Sequence, residues 1–445
     1  MHRFAILLGG ALVGSIVGLS SKQLVASPEI PGESVSRPLA IVGGTIHPVS
    51  GEAIDNATLL VRRGKIVAIG TKVRVPDNAM TIDAAGKHIY PGLFDAYTDM
   101  GLVEVNAVRA SRDQRETGSI NPNVKSWVSV NPDSEIIPVT RANGVLLTLS
   151  APSGGLISGQ SGVLQLDGWT WEDLTVRTGV GLHVGWPRMS PSIEWDTDES
   201  AKEQLESRDK ALGQLRQTFK DARAYETARL APQSEHAIDL RWEAMLPVLH
   251  GDVPLIVDAD DIQQIQAAVA FAEQQQVKLI IYGGYDAPLC ADLLKKHDIP
   301  VIIGGVYRLP RRRSEPYDTP YTIPARLHEA GVRFCISGSG RFGASNVRNL
   351  PYHAAMAAAF GLPHDEALKA ITSYPAEILG VAERVGTLER RRDATLIITD
   401  GDPLETTTQV EAAYIQGREV DLNNRHKRLW KKYEEKYRRL GLTKD

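Results

Sequence analysis

Two different rhythms of apolar and polar residues divide the chain. Residues 39–47, 56–61 and 65–69 are short apolar segments, and polar turn residues such as Arg63 and Gly64 separate them. Strands that follow one another closely show this spacing. The pattern predicts a small β-sandwich or open barrel near the beginning of the chain.

From residue 91 onward, near-continuous apolar strands alternate with amphipathic helices. Strands are predicted at residues 144–149, 254–259, 278–282, 300–304 and 332–336, and helices at 262–275, 287–296 and 354–360. Strands that are apolar on both faces indicate a parallel sheet covered by helices on both sides. With this many repeats, the pattern favours an α/β fold with a TIM-like (β/α)8 barrel over an open sheet.

Two segments break the alternation. Residues 191–240 are charged and helical in pattern, which predicts an insertion over one end of the barrel. We expect a solvated helical face there, and a lid or a dimer contact is the alternative. Residues 425–439 form a basic amphipathic helix, and its apolar side carries Leu429, Trp430, Tyr433 and Tyr437. We expect this helix to dock onto the body, with contact to an anionic surface as the alternative.

The first residues have the pattern of an export signal. Arg3 precedes an apolar run at residues 4–19, and small residues follow around Ala26, where a signal peptidase can cut. A retained membrane anchor is disfavoured because the run is short and interrupted by glycine. We therefore expect an exported, periplasmic or secreted protein with no stable membrane span after signal removal.

Composition narrows the classes of partner. The chain has 445 residues, of which 42% are hydrophobic and 23% charged, so wholesale disorder is excluded. A formal net charge of -4 offers no field that would recruit nucleic acid, and no nucleic-acid partner is expected. The two cysteines, Cys290 and Cys335, lie in or beside apolar stretches, which predicts buried and unbridged thiols.

Three regions resemble the amidohydrolase superfamily, in the branch that is similar to imidazolonepropionases and prolidases. They are residues 41–95, which end in Pro-Gly-Leu-Phe-Asp, residues 144–168 with two glycine turns, and residues 376–404. The resemblance implies a small β-sandwich made by both chain ends, and a metal-bearing barrel between them. The predicted organisation is a signal peptide at 1–27, a flexible leader at 28–38, sandwich strands at 39–90, the barrel at 91–384 with the insertion 191–240, sandwich strands at 385–422 and a basic helix at 423–445.

The residues at the metal positions implied by this resemblance are not the expected ones. In the family, two histidines spaced one residue apart follow the Pro-Gly-Leu segment; Tyr97 and Asp99 stand there in this chain. The histidines of the fifth and sixth strands fall on Asp258 and near Gly283, and the eighth-strand aspartate falls on or beside Ser339. Hydrolysis by this family needs a metal to lower the pKa of water to about 7. We therefore expect no resident cofactor.

The same strand ends are expected to line a binding pocket, because active sites of β/α barrels lie at the carboxyl ends of the strands. Arg341 and Arg348 are placed to hold a ligand carboxylate in bidentate fashion, with salt bridges to neighbouring loops as the alternative. The candidate catalytic residues are Asp99, His183 and Ser339. The candidate binding residues are Tyr97, Asp258, Tyr282, Ser337, Arg341 and Arg348.

Three functions follow from these observations. The first is an exported amidohydrolase-like protein that binds a small molecule or peptide without metal-dependent hydrolysis. The second is a hydrolase of carbon–nitrogen bonds, with Asp99 and His183 as acid–base groups. A form of this second function that uses a metal instead would hold zinc, magnesium or manganese in a rearranged site. Asp95, Asp99 and Asp258 are the candidate ligands of that site. The third is a structural or assembly role of the helical insertion or the basic helix. A homo-oligomer is compatible with all three.

Overall fold

The computed structural model describes residues 30–192, 198–231, 237–338 and 343–442. In this part of the chain the strands form two eight-stranded sheets. The strands are β1 (Leu39–Ile46), β2 (Ile54–Arg62), β3 (Lys65–Gly70), β4 (Met80–Asp83), β5 (His88–Pro91), β6 (Leu93–Thr98), β7 (Val145–Ser150), β8 (Ile157–Gln165), β9 (Thr175–Gly185), β10 (Leu255–Ala259), β11 (Leu279–Gly283), β12 (Val301–Ile303), β13 (Phe334–Ile336), β14 (Leu396–Thr399), β15 (Val410–Ile415) and β16 (Arg418–Glu419).

Most helices surround the second of these sheets, and one helix comes after the last strand of the first sheet in the chain. They are α1 (Ile136–Arg141), α2 (Trp171–Leu174), α3 (Ala201–Leu230), α4 (Leu240–Leu249), α5 (Ile262–Gln275), α6 (Ala291–Lys296), α7 (Thr319–Ala330), α8 (Leu350–Ala359), α9 (His364–Lys369), α10 (Ser373–Ile378) and α11 (Arg425–Arg439). Short 3-10 turns lie at Arg109–Ser111, Ser126–Ser129, Ala287–Cys290 and Gly343–Asn349.

The two chain ends share one sheet, as the sequence predicts. Its strand order is β16-β15-β14-β5-β1-β2-β3, and β4 pairs with β1. The two ends meet where β5 pairs antiparallel with β14, with Ile89 opposite Ile398. Both side chains belong to one buried apolar cluster together with Leu59 of β2. This cluster makes the unit composite, because neither end of the chain buries these side chains without the other.

The middle of the chain forms the barrel. Its strands are ordered β6 to β13 as they follow in the chain, and all are parallel except β8, which runs antiparallel to both β7 and β9. Only residues 151–156 join β7 to β8, whereas a parallel crossover needs a dozen residues or more. The TIM-like barrel is thus confirmed, with a three-stranded antiparallel section that the apolar pattern alone did not predict.

Side chains alternate between the barrel interior and the helix-facing layer. Phe94, Ile256 and Ile280 belong to a buried cluster inside the barrel. Their neighbours Leu93 and Val257 pack instead in the larger core that the surrounding helices share. Successive residues of a strand point to opposite faces, so a residue two positions beyond an inward one lies nearer the barrel mouth and also points inward. This rule places Asp258 and Tyr282 at the mouth.

The helical insertion attaches to the flank of the barrel. Helix α3 begins at a capping box in which Ser200 and Glu203 exchange hydrogen bonds. Along its length only one narrow face is buried, where Phe219 meets the ring edge of Phe271 in α5 at a centroid distance of 5.2 Å. The remaining faces are largely exposed, in agreement with the predicted solvated helix.

Both chain ends differ from the expectations. Helix α11 has no buried residue, so the predicted docking of its apolar side onto the body is not observed. The predicted signal peptide at 1–27 and the first residues of the predicted leader lie outside the described residues. The following leader residues are held on the body, because Pro31 is buried and the Gly32 amide donates to Asp167 Oδ2 at 3.1 Å. In the described ranges no helix is long and apolar enough to cross a membrane.

Candidate functional site

Asp95 closes the barrel between its first strand, β6, and the segment that follows its last strand, β13. Its carboxylate is fully buried and accepts hydrogen bonds from Ser337 Oγ at 2.7 Å, the Tyr97 amide at 3.0 Å and the Gly338 amide at 2.8 Å. Burial raises the pKa of Asp95 to about 6, although these hydrogen bonds act in the opposite direction. Both oxygens are used, so Asp95 and Ser337 serve the barrel closure.

An aromatic pair spans the mouth of the barrel. The rings of Tyr97 and Tyr282 are stacked with centroids 3.5 Å apart and planes inclined by 8°. They come from β6 and β11, which are separated by four strands in one direction around the sheet and by two in the other. Burial is the largest of the causes that raise the pKa of Tyr97 well above its ordinary value. The nearby Tyr282, Asp258 and Asp99 raise it further. Tyr97 therefore keeps its phenolic proton near neutral pH.

His183 lies at the edge of this pair. Its ring meets Tyr97 at a centroid distance of 5.4 Å and an interplanar angle of 61°. The residue is buried, and its Nε2 atom has no hydrogen-bond partner in the described part of the chain. Burial lowers the pKa of His183 to about 3, so the imidazole is neutral at physiological pH. A neutral ring with a free nitrogen can exchange one hydrogen bond with a ligand.

Asp99 is occupied by the backbone beyond the last barrel strand. Its Oδ1 atom accepts a hydrogen bond from the Ala344 amide at 2.5 Å. A Cβ atom on Gly343 would lie 2.5 Å from the same oxygen, so only glycine permits this approach. Burial raises the pKa of Asp99. The structure thus assigns Asp99 to holding the turn Gly343–Asn349 in place.

Asp258 is the carboxylate that remains accessible at the mouth. Its pKa is raised to about 6, mainly because the carboxylate is partly dehydrated and secondly because the charge of Asp260 is close. Arg308 and Arg311 lower the pKa and so act in the opposite direction. Asp260 pairs with both arginines, with Arg308 Nη2 and Arg311 Nη1 at 3.0 Å and 2.9 Å from Oδ2. Both guanidinium groups also lie over the ring of Tyr285, at 5.0 Å and 5.7 Å from its centroid.

The two described arginines near the mouth, Arg308 and Arg311, were not among the candidate binding residues. Arg348 contacts His426 of α11, with Nη1 and Nδ1 2.8 Å apart. Ser339 and Arg341 lie outside the described residues. The signal that could have identified Arg308 and Arg311 is the basic run at 308–313, which follows β12 directly. Of the predicted residues, the structure brings together Tyr97, His183, Asp258 and Tyr282.

His353 lies behind this mouth and was not among the candidate site residues. Its Nδ1 atom accepts a hydrogen bond from the Val306 amide at 3.0 Å, and its ring meets the edge of Tyr307 at 4.7 Å. Burial lowers the pKa of His353 to about 4. The contact fixes the start of the loop that carries Arg308 and Arg311, so His353 positions this loop.

The described residues at the mouth do not fit a divalent metal ion. Asp95 and Asp99 already accept hydrogen bonds from backbone amides. Gly283 has a φ of 95°, and a Cβ atom there would meet Asp260 Oδ1 at 2.8 Å, so no liganding side chain can replace it without strain. Among the described residues no three His, Cys, Asp or Glu side chains lie close enough together to hold a metal.

Sequence and structure comparisons show what the chain is similar to. A family model described as "Amidohydrolase family" matches residues 279–423, which include β11 to β16. A solved amidohydrolase from Thermotoga maritima MSB8 is 25% identical, superimposes with a TM-score of 0.76, and covers 86% of this chain and 99% of its own. In sequence and in fold the chain is similar to the amidohydrolase family.

Two curated proteins extend the comparison. The amidohydrolase tasK of Hapsidospora irregularis is 22% identical over 403 residues, which is 81% of this chain. This chain spans only 39% of the length of that relative. The imidazolonepropionase of Brucella anthropi is 24% identical over 373 residues, 78% of this chain and 87% of its own. The resemblance deduced from the sequence is confirmed at the level of the family.

Replacing Tyr282 with leucine is expected to lower the free energy of unfolding by about 1 kcal/mol, because the stack with Tyr97 is lost. Tyr282→Phe keeps the stacked ring and is expected to lose less of this free energy than Tyr282→Leu. Urea unfolding of both variants measures the difference. Equal losses in the two variants would show that the hydroxyl, and not the stacked ring, stabilises the mouth.

Proposed function

We propose that this amidohydrolase-family protein binds a small amide or dipeptide at the barrel mouth and does not perform metal-dependent hydrolysis. The observation that carries the proposal is the stack of Tyr97 on Tyr282. The resemblance places one of the family's metal-binding histidines at Tyr97. We include export in the proposal, on the basis of the N-terminal sequence pattern.

The phenol of Tyr97 is a poor substitute for a histidine ligand. To bind a metal it would have to lose its proton, and its raised pKa opposes this near neutral pH. The ring is also packed flat against Tyr282, which leaves no space for an ion between the two side chains. The neighbouring position is held by Asp99, whose Oδ1 atom already binds the backbone of Ala344.

The polar groups at the mouth fit a ligand with both an N–H group and a carboxylate. Asp258 is a hydrogen-bond acceptor there, and His183 offers one unpartnered ring nitrogen. Arg308 and Arg311 supply positive charge close to Asp258, and both side chains retain partial exposure after pairing with Asp260. A dipeptide has this combination of groups, and its apolar part can lie on the stacked tyrosine rings.

A second candidate function rests on the pKa of Asp258, which is about 6. A carboxylate with such a pKa can act as a general base near neutral pH. It would take a proton from a water molecule that attacks the amide carbon. As the carbon–nitrogen bond breaks, Asp258 would return this proton to the departing nitrogen. The reaction is balanced and needs no further reactant.

Titration of the purified protein with a dipeptide ending in proline tests the first proposal. We expect binding without added metal, and no hydrolysis products by chromatography with or without zinc, manganese or magnesium. Asp258→Asn is expected to weaken binding about tenfold, because a charge-assisted hydrogen bond is lost. Asp298→Asn changes an exposed carboxylate elsewhere on the surface and serves as the matched control.

The products distinguish the two candidates. Hydrolysis that needs an added metal would overturn the proposal. Hydrolysis that persists with a chelator and disappears in Asp258→Asn would establish the second candidate. Absence of binding in all variants would reject both, and would direct attention to a structural role.

A further inference from the structure

Helix α11 presents an uncovered apolar face to solvent. At about 100° per residue, five large side chains of the helix and its C-terminal cap residue fall on one face about 100° wide. All five are exposed by 39% or more, and Trp430 by 61%. The five are Leu429, Trp430, Tyr433, Tyr437 and Leu440. No residue of the helix is buried against the described body.

The rest of the helix carries a high density of positive charge. Between residues 425 and 439 the chain has eight lysines and arginines and two glutamates. The complete chain has a net charge of -4, so this helix is a local basic element on a protein that is otherwise acidic. Lys432 and Lys436 border the apolar face on one side, and Lys427 and Arg438 lie beyond its other side. This arrangement matches an interfacial helix whose basic side chains reach lipid phosphates.

The base of the helix is fixed to the barrel. The Asn424 side chain caps its first turn by accepting from the Lys427 amide, and Arg428 pairs with Glu135 at 3.2 Å. The helix extends about 22 Å from this base at a rise of 1.5 Å per residue. It therefore projects from the body while its first turn keeps a defined direction.

The N-terminal part of the chain enters the body beside this base. Pro31 and Arg428 line the same cleft. The apolar run at residues 4–19 precedes Pro31 by only a short connection. Pro31 therefore lies on the side of the body from which α11 projects.

We propose that α11 lies in the interface of an anionic lipid bilayer and holds the protein on the membrane surface. Its aromatic and leucine side chains would enter the boundary between headgroups and acyl chains, while its lysines and arginines face the phosphates. Each basic residue near an anionic surface strengthens this attachment. A second copy of this chain is the competing occupant, but eight basic residues on each helix oppose its pairing with itself.

Sedimentation with vesicles tests the proposal. The full-length protein is mixed with vesicles of phosphatidylglycerol and phosphatidylcholine in equal parts, or of phosphatidylcholine alone. We expect binding to the anionic vesicles that is at least about tenfold stronger and that weakens with added salt. Lys431→Glu/Lys432→Glu should lower the affinity for anionic vesicles at least about tenfold. Trp430→Ala should also lower it.

Matched controls separate the helix from the general surface. Lys202→Glu/Lys210→Glu makes the same charge change on exposed positions of α3, and Trp169→Ala removes another exposed tryptophan. Both controls should bind like the unchanged protein. Equal binding to both vesicle types, or no effect of the α11 variants, would overturn the proposal. A helix-dependent dimer in size-exclusion chromatography without vesicle binding would also overturn it, in favour of self-association.

Discussion

Asp167→Ala is expected to lower the free energy of unfolding by about 3–5 kcal/mol, because it removes one partner of a buried ion pair with Arg141. Arg141 and Asp167 are both almost fully buried, and Arg141 Nη1 lies 2.9 Å from Asp167 Oδ1. The same guanidinium nitrogen donates to the Leu166 carbonyl at 3.0 Å, which does not neutralise its charge. Urea unfolding followed by circular dichroism measures the loss.

An exposed ion pair provides the control for this prediction. Glu206→Ala removes the partner of Lys202 on the surface of α3, where the pair is expected to contribute less than about 1 kcal/mol. If Asp167→Ala costs no more than Glu206→Ala, the buried pair does not stabilise the fold in the way described.

Asp167 contacts three separate parts of the chain, so its replacement is expected to weaken more than the ion pair with Arg141. Arg141 belongs to α1 beside the barrel, and Arg418 of β16 approaches the second Asp167 oxygen at 3.6 Å. The Gly32 amide donates to this oxygen as well. One carboxylate thus joins the barrel, the last strand and the segment that leads to the N-terminus. We expect Asp167→Ala to loosen all three.

Acidification is expected to destabilise the protein through His183. Its pKa is about 3 in the folded protein and 6.5 in the unfolded chain, so the unfolded state binds a proton first as the pH falls. The stability that the neutral ring contributes is complete above about pH 6.5 and is lost progressively below it. Between about pH 7 and about pH 5 the loss amounts to about 2 kcal/mol.

His183→Phe isolates this effect because it keeps a ring of similar size without a titratable group. The variant should lose about 2 kcal/mol less than the unchanged protein over this pH range, in urea unfolding at each pH. At neutral pH its stability should not fall, because Nε2 has no partner to lose in the described structure. His250→Gln alters an exposed histidine and should keep the full acid sensitivity. An unchanged acid sensitivity in His183→Phe would contradict the low pKa of His183.

Asp95 is expected to raise the free energy of unfolding as the pH falls, which is the opposite of the effect of His183. Its folded pKa of about 6 lies above the value of 3.8 for an unperturbed aspartate, so its burial costs stability at neutral pH. As the pH falls through about 6, that cost is relieved by about 1 kcal/mol. The comparison with His183→Phe is therefore needed, since the net acid response of the unchanged protein contains both contributions.

The regular part of the fold could be predicted from local sequence. The predicted helix at 262–275 coincides with α5, because its Asp261 cap and its apolar spacing are both local signals. The antiparallel strand β8 could not be assigned in this way, since apolar strands of either direction look alike. Its direction follows from the shortness of its connection to β7.

In the candidate site, too, some residues could be predicted from local sequence and others could not. Sequence reasoning identified Tyr97 and Asp258, since the Pro-Gly-Leu segment fixes the first position and the strand pattern fixes the second. It could not assign Asp99 to the turn at Gly343, which lies more than two hundred residues away in the chain. Nor could it show that Arg348 turns to α11 while Arg308 and Arg311 approach the mouth.

The sequence by itself determined the family resemblance and the barrel with its composite second sheet. These properties depend on the spacing of residues within short segments, and this spacing can be read directly from the sequence. Only the tertiary structure decided that Tyr97 stacks on Tyr282, that His183 keeps an unpartnered nitrogen within the described chain, and that α11 stays uncovered. Those properties depend on which distant residues share a contact or a desolvated space, and local patterns do not encode such distances.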